Sequence, residues 1–263
     1  MTRRSREVGI VKSFVLGTAL AAALAVPAQA GDNKLTLSAS VWLTTDYIFR
    51  GISQTLNDPA IQGSINASYG IFYAGLWASN VDFGAGFDSG GNLKSISDLE
   101  IDYYVGILPT WKGFTFDIAG LYYTYPSACD FCLGGELDYF ELKTGVKYTF
   151  AEKLTLGITN YWSPDFSVET GEGDALELAA GYAFAGKLFN FFSPTVSGLV
   201  GWQWVDDNAG WDPYTYWNAG LTLGFMNNWS VDVRYWDTDL GGTDVSAGTF
   251  SDARVVGTLA ATF

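Results

Sequence analysis

The sequence predicts an all-β protein, a transmembrane antiparallel up-and-down β-barrel of about twelve strands. Three observations predict this fold. Apolar and polar residues alternate from Leu35 to the end of the chain, short and long connections alternate between the segments, and aromatic residues gather at both ends of the apolar face. A tilted strand crosses a bilayer in about ten residues, which is the length of many of these segments.

Residues 1–30 have the three parts of a cleavable signal peptide. Basic residues precede an apolar stretch at 14–26, and Ala28-Gln29-Ala30 provides a small-residue cleavage site before Gly31. The apolar stretch is shorter than the roughly 20 residues that a membrane-spanning helix needs. We therefore expect export through this signal, and we expect residues 31–263 to form one barrel domain.

The last segment of the chain illustrates the alternation. Val255, Leu259 and Phe263 fall on one face of a strand, whereas Arg254 and Thr258 fall on the other. Successive side chains of a strand point to opposite faces, so each segment has one apolar and one polar face. The same test predicts strands near 35–49, 60–69, 72–81, 99–108, 114–125, 139–150, 154–161, 175–184, 194–205, 214–225, 229–237 and 252–263.

The connections between these segments alternate in length. Those at 70–71, 110–113, 151–153 and 226–228 are short, and the one at 185–193 is longer and aromatic. The intervening loops at 50–59, 82–98, 126–138, 162–174, 206–213 and 238–251 are long, polar and acidic. Short periplasmic turns and long extracellular loops are typical of outer-membrane barrels, and an even strand number predicts that both termini are periplasmic.

The aromatic residues of the apolar face form two predicted bands. The band beside the short turns contains Tyr69, Phe114, Tyr148, Phe150, Tyr182, Phe184, Phe225, Trp229 and Phe263. The band beside the long loops contains Tyr47, Phe49, Tyr122, Phe140, Trp202, Trp204 and Trp217. Amphipathic rings prefer the level of the lipid headgroups, so two bands indicate two interfaces with outer-membrane lipid and lipopolysaccharide. We also expect barrel assembly machinery to recognise the terminal Phe263.

The chain is acidic, with 28 Asp and Glu residues, 14 Lys and Arg residues and a formal net charge of −14. This charge argues against nucleic acid as a partner, because a nucleic-acid site needs a basic surface. The long loops carry most of the acidic excess. They should therefore enrich cations at the mouth of a channel, which predicts a mild cation preference.

Cysteine and histidine usage excludes several kinds of site. Cys129 and Cys132 form one C-x-x-C, which in an exported protein favours a local disulfide. The sequence contains no histidine, so a Ser–His catalytic arrangement cannot be built and zinc lacks a common ligand. We therefore expect no enzyme, and we assign no catalytic, cofactor-binding or metal-binding residue.

Strand parity places twelve charged side chains on the predicted lumen face. They are Asp46, Arg50, Glu100, Asp102, Asp117, Glu141, Lys143, Lys147, Glu177, Asp232, Arg234 and Arg254. Twelve strands fall between eight-stranded barrels with filled interiors and sixteen-stranded porins with open channels. The charges therefore either line a narrow channel or pair across a filled lumen. Arg50 likewise has two interpretations, a contact for anionic solute groups or an ion pair that fixes a loop.

Several motifs resemble one protein family. The motif DYIFRGISQT at 46–55 is followed by PAIQG at 59–63 and FYAGLWASNVDF at 72–83. The segments at 100–106, 139–142 and 161–166 extend the likeness. These motifs resemble the TorF-like porins, also called the Gcw_chp conserved-hypothetical group. The resemblance implies a porin-like barrel in the outer membrane of a Gram-negative bacterium, with neither a substrate nor a catalytic residue to carry over.

Two functional classes remain open at this point. The first is a narrow diffusion channel for small polar solutes, with a preference for cations. The second is a non-conducting barrel that serves adhesion or envelope structure through its acidic extracellular loops. A homo-oligomer is compatible with both, and no feature of the sequence selects an oligomeric state.

Overall fold

A computed structural model describes residues 34–206, 212–240 and 250–263. The predicted signal peptide at 1–30 lies outside the described residues, as do parts of the loops predicted at 206–213 and 238–251. The helical elements of the described chain are an α-helix at Asp130–Leu133 and a 3₁₀ turn at Ser167–Glu169. Within these ranges, no helix is long and apolar enough to cross a bilayer.

Twelve long strands, numbered β1 to β12 in chain order, make up most of the described residues. Their bounds are Thr36–Thr44 (β1), Ala60–Tyr69 (β2), Phe72–Asn80 (β3), Leu99–Ile107 (β4), Phe114–Thr124 (β5), Tyr139–Phe150 (β6), Leu154–Ser163 (β7), Gly173–Ala183 (β8), Ser193–Val205 (β9), Tyr214–Phe225 (β10), Trp229–Thr238 (β11) and Arg254–Thr262 (β12). Every predicted segment except the first lies within two residues of these bounds. The alternation of side chains was therefore sufficient to locate the strands.

The strands close into an antiparallel barrel. Each strand pairs with its neighbours in the chain, and β12 pairs with β1 to close the sheet. At this seam Leu43 lies opposite Leu259, and Thr44 lies opposite Thr258. A closed sheet leaves no unpaired edge, which β-structure in a bilayer requires. The predicted fold is confirmed.

The two ends of the barrel differ in their connections. The turn end carries the connections at 70–71, 108–113, 151–153, 184–192 and 226–228, together with the start of β1 and the last residue of β12. The loop end carries the connections at 45–59, 81–98, 125–138 and 164–172, and it also holds the last residues of β9 and β11 and the first residues of β10 and β12. The predicted alternation of short and long connections is therefore present along the chain.

The outward face of the barrel is apolar. Val233, Leu221 and Leu259 are 52%, 40% and 36% exposed, respectively. Inward positions on the same strands carry polar side chains such as Thr222 and Arg234, which are buried. Apolar groups outside and polar groups inside are the arrangement that a barrel surrounded by lipid requires.

The first strand is shorter than predicted. β1 ends at Thr44 instead of residue 49, and residues 45–59 turn into the barrel. Tyr47 is only 1% exposed and Phe49 is half-buried, so their assignment to the lipid-facing aromatic band is wrong. The alternating pattern continues past Thr44 because a segment that packs inside a lumen also has two different faces.

Candidate functional site

The first connection at the loop end, residues 45–59, forms an inserted segment inside the barrel. It contains a short antiparallel hairpin in which Ile48–Phe49 pairs with Ile52–Ser53. Arg50 (φ 48°) and Gly51 (φ 85°) turn the hairpin through left-handed backbone, which two-residue hairpins favour. The tip of the inserted segment is therefore a tight turn that carries one arginine side chain.

The tip reaches the barrel wall. Gly51 lies so close to Thr238 of β11 and Tyr216 of β10 that a Cβ at this position would collide with both side chains. Glycine adopts positive φ without strain and leaves room for the wall. A larger residue at this position should displace the tip.

Asp46 holds the base of the inserted segment. Its carboxylate accepts hydrogen bonds from the hydroxyls of Ser53 (2.7 Å) and Thr55 (2.9 Å). It also forms an ion pair with Arg254 of β12 at 2.9 Å. The Thr55 hydroxyl accepts a hydrogen bond from the backbone N–H of Tyr47 at 3.2 Å. These contacts join the two legs of the segment to each other and to the wall.

Arg50 joins the tip to three strands of the wall. Its guanidinium donates hydrogen bonds of 2.8 Å to the carboxylate of Glu141 on β6 and to the side-chain oxygen of Gln203 on β9. The guanidinium carbon lies 5.0 Å from the ring centre of Tyr161 on β7 and 4.6 Å from that of Phe49. Arg50 is 5% exposed and Glu141 is 1% exposed. In this geometry Arg50 forms a buried ion pair that fixes the loop.

Tyr47 attaches the first leg of the segment to another part of the wall. Its hydroxyl donates to Glu100 of β4 at 3.0 Å, and its ring meets Trp77 of β3 edge-on at 5.2 Å between ring centres. Burial, reinforced by the negative charges of Glu100 and Asp102, raises the pKa of Tyr47 well above its ordinary value. The phenol therefore stays protonated and remains a hydrogen-bond donor at physiological pH.

Apolar and aromatic side chains fill the lumen on both sides of the inserted segment. On one side, Tyr123 and Tyr139 stack with ring centres 4.4 Å apart, and Phe49 lies 6.0 Å from the ring centre of Tyr123. On the other side, Ile48 packs with Leu199, Tyr216, Trp236 and Val256. The half of the lumen next to the loop end, the loop half, is therefore filled by protein.

Three loops form a cap over this half, and they lie at 81–98, 125–138 and 164–172. Phe166 of the third loop contacts Tyr139 at 4.8 Å between ring centres. The backbone N–H of Asp82 donates to the carbonyl of Gln54 at 2.8 Å. The loop cap and the inserted segment therefore pack as one unit.

A disulfide joins Cys129 and Cys132 in the second loop of the cap. The pair brackets the start of the helix at Asp130–Leu133, and Cys132 lies against Gly86 in the first loop. The bond closes a very small ring of chain, so its influence is confined to the shape of the cap.

Ion pairs involve eight of the twelve charged residues predicted on the lumen face. The pairs are Arg50–Glu141 (2.8 Å), Lys143–Asp117 (2.6 Å), Arg234–Asp232 (3.0 Å) and Arg254–Asp46 (2.9 Å). Glu177 accepts a hydrogen bond from Tyr216 at 2.8 Å. Glu100, bonded to Tyr47, and Asp102 are buried two residues apart on the same face of β4. Among these twelve, Lys147 alone is exposed.

The lumen changes character along β6. Glu141 and Lys143 are 1% and 7% exposed, whereas Lys147 is exposed. A strand rises about 3.3 Å per residue, so Glu141 and Lys147 lie about 20 Å apart along the strand. Inward positions near the turn end carry small polar side chains that are partly exposed: Ser38, Ser68, Thr115, Thr195 and Ser230. Tyr73 beside the turn at 70–71 is buried, and the rest of this turn half of the lumen is polar and more exposed than the loop half.

Sequence reasoning missed the aromatic filling of the loop half. Trp77, Tyr123, Tyr139 and Tyr161 are each at most 5% exposed, and each stands on the inward face of its strand. Parity was the signal that could have found them, because large rings on the face opposite to lipid must occupy the lumen. The prediction considered only charged residues on that face.

Comparisons with known proteins agree with this architecture. The sequence profile of the family described as "Bacterial protein of unknown function (Gcw_chp)" matches residues 28–263. A comparison with curated protein sequences found no match. The barrel is similar to the structure described as "KdgM porin in complex with disordered oligogalacturonate", with a TM-score of 0.55, 7% identity, and coverage of 86% of this chain and 98% of that chain.

A second similar structure is the COG4313 outer membrane channel from Pseudomonas putida F1. Its TM-score is 0.51 at 11% identity, and the alignment covers 90% of this chain and 98% of that chain. At such low identities the likeness concerns the fold alone. That fold is the one used by outer-membrane porins and channels.

Proposed function

The chain belongs to the Gcw_chp family of bacterial proteins of unknown function, and we propose that it is an outer-membrane porin for small polar solutes, without catalytic activity. In this proposal the signal peptide directs export, the turn end and both termini face the periplasm, and the acidic loops face the outside. The TorF-like porin name that the sequence motifs suggest belongs to the same proposal.

The contrast between the two halves of the lumen supports a channel with a narrow region. The turn half exposes Lys147 and the small polar residues at its level. It leads to the loop half, where the inserted segment and its ion pairs occupy the cross-section. Selectivity in a channel is set where the path is narrowest and by the groups that line it. The inserted segment is the constriction of the proposed channel.

A preference for cations is part of the proposal. Of the twelve charged interior residues, seven are acidic and five are basic. The whole chain has a formal net charge of −14, and the loops carry much of the excess. Negative potential at a channel mouth raises the local concentration of cations and lowers that of anions.

The burial of the loop half supports a second candidate, a non-conducting barrel that acts through its acidic loops. Arg50, Glu100 and Glu141 are each at most 5% exposed, as a permanent plug requires. In this candidate the inserted segment stabilises the barrel and never leaves the lumen.

Planar-bilayer recordings of the purified mature protein distinguish the two candidates. For the channel we expect steady openings in potassium chloride. Under a salt gradient, the sign of the reversal potential should show that cations permeate better than anions. Folded protein that inserts into the bilayer without carrying current, and that leaves liposomes impermeable to small sugars, would exclude the channel and support the non-conducting barrel.

A further inference from the structure

We infer that the wall around the Arg50 side chain is a recognition site for cations with N–H donors, namely guanidinium and primary ammonium groups, and that Arg50 occupies it as a tethered ligand. The inferred substrate class, solutes that carry a guanidinium or a primary ammonium group, rests on the proposed channel function. The site itself is argued from the wall residues alone.

The groups that accept hydrogen bonds from the guanidinium belong to the barrel wall, and the inserted segment adds only the ring of Phe49, 4.6 Å from the guanidinium carbon. Glu141 stands on β6, Tyr161 on β7 and Gln203 on β9. Both carboxylate oxygens of Glu141 lie 2.8 Å from the guanidinium nitrogen Nη2, and the Gln203 oxygen lies 2.8 Å from Nη1. A carboxylate, an amide oxygen and a ring face together form the environment that proteins use to recognise guanidinium and ammonium groups.

The wall residues are held in place independently of Arg50. The Tyr123 hydroxyl donates to Glu141 at 3.0 Å, and Tyr123 itself is stacked on Tyr139. On β8, Ala175 lies in register between Tyr161 and Gln203, and Glu177 is the next inward position. The site is therefore preorganised, with a second carboxylate beside it.

Charge balance favours a cation in the place of Arg50. Glu141 is 1% exposed, and a buried carboxylate without a counter-charge is strongly destabilised. If the tip of the inserted segment leaves the lumen, Glu141 loses its partner unless another cation enters. A solute cation that binds there would therefore favour the withdrawn position of the tip, which couples recognition of the solute to opening of the path.

The Arg50→Ala variant tests the site, with methylguanidinium chloride as the probe. Methylguanidinium reproduces the end of the arginine side chain, and tetramethylammonium has the same charge without any N–H donor. Arg234→Ala is the matched control, because Arg234 is also a buried lumen arginine, held by Asp232, Asn218 and Ser197 outside the inserted segment.

Binding is measured in detergent by the shift of the melting temperature with millimolar probe at constant ionic strength. We expect methylguanidinium to stabilise Arg50→Ala with a dissociation constant at least about tenfold lower than for Arg234→Ala. Tetramethylammonium should have little effect, and adding Glu141→Gln to Arg50→Ala should abolish the response. Equal responses of Arg50→Ala and Arg234→Ala, or binding that survives Glu141→Gln, would overturn the inference.

A second variant covers the case in which Arg50→Ala does not fold. Arg50→Gln keeps a hydrogen-bonding side chain at the tip and removes only the cation, so the same preference for methylguanidinium is expected. The melting measurement requires no current, and its outcome is therefore separate from that of the channel. Selective binding without conductance in bilayers would support the recognition site and exclude the channel function. Conductance without selective binding would support the channel function and exclude the recognition site.

Discussion

The loop half and the turn half of the lumen share the same twelve strands and the same alternation, yet they have different interiors. On β6, Glu141 is 1% exposed and Lys147 is exposed, although both point inward. The loop half contains the stacked rings of Tyr123 and Tyr139. It also contains the ion pairs Arg50–Glu141 and Arg254–Asp46 and the hydrogen-bonded carboxylates of Glu100 and Glu177. The turn half contains Ser and Thr side chains, the exposed Lys147, the carboxylates of Asp117 and Asp232, and one buried ring, that of Tyr73.

This difference shows that barrel size alone does not set how far the lumen is filled with side chains. The same closed sheet surrounds both halves of the lumen, so the two halves have the same number of strands. The inserted segment and the rings that pack on it account for the filling of the loop half. If one segment makes the two halves different, then its removal should make them more alike.

Removal of the inserted hairpin should have the largest effect. Its two legs meet at the base, where Asp46 accepts hydrogen bonds from Ser53 and Thr55, so a short Gly-Ser-Gly connection can replace residues 47–54 without opening the wall. We expect the single-channel conductance in planar bilayers to rise about fivefold or more, because twelve strands enclose a wider lumen than the eight-stranded barrels that side chains alone can fill.

The control for that experiment is a shortened tip at 89–91 in the loop cap, where the residues are exposed and far from the inserted segment in sequence. It should leave the conductance unchanged. If both deletions raise the conductance equally, or if neither does while the protein stays folded, the inserted segment is not the constriction.

Loss of the buried charge pair should have the next largest effect. Glu141→Gln leaves the Arg50 guanidinium without its counter-charge in a dry environment, which costs about 3 kcal/mol of the free energy of unfolding. The matched exposed pair is Lys94–Asp88 at 3.7 Å. Lys94→Gln should cost much less than Glu141→Gln, because solvent screens exposed pairs.

Denaturant titration in detergent micelles measures the loss of free energy of unfolding for Glu141→Gln and for Lys94→Gln. Similar losses for the two variants would show that the loop half is not sealed from water. That outcome would remove the main distinction between the two halves of the lumen.

A charge change in the turn half should alter ion selectivity without altering stability. Lys147→Glu places a negative charge at an exposed inward position of β6, so the cation-to-anion permeability ratio should rise about twofold. Lys187→Glu makes the same change on the connection at 184–192, on the outside of the barrel. Reversal potentials under a salt gradient measure both variants, and an equal shift in the two would mean that Lys147 does not line the path.

Removal of the disulfide should have the smallest effect. The ring closed by Cys129 and Cys132 is short, and the loss for such a ring is at most about 2 kcal/mol. We expect Cys129→Ser with Cys132→Ser to accelerate proteolysis within the loop cap and to leave conductance unchanged. A change in conductance would show that the cap, and not only the inserted segment, controls the path.

Strand positions, closure and the orientation of side chains followed from the amino-acid pattern. A period of two is a local property, and lipid outside and water inside impose it along every strand. The prediction therefore located eleven of the twelve strands within two residues. The charged residues that it assigned to the lumen face include the members of four ion pairs in the folded barrel.

The course of residues 45–59 did not follow from that pattern. Tyr47 and Phe49 alternate with Asp46 and Arg50 in the same way on a strand and on a hairpin inside the lumen. The contacts that select the second arrangement join residues far apart in sequence, such as Arg50 with Glu141 and with Gln203. Those partners become neighbours only when the sheet closes, because closure brings strands from the whole chain around one interior.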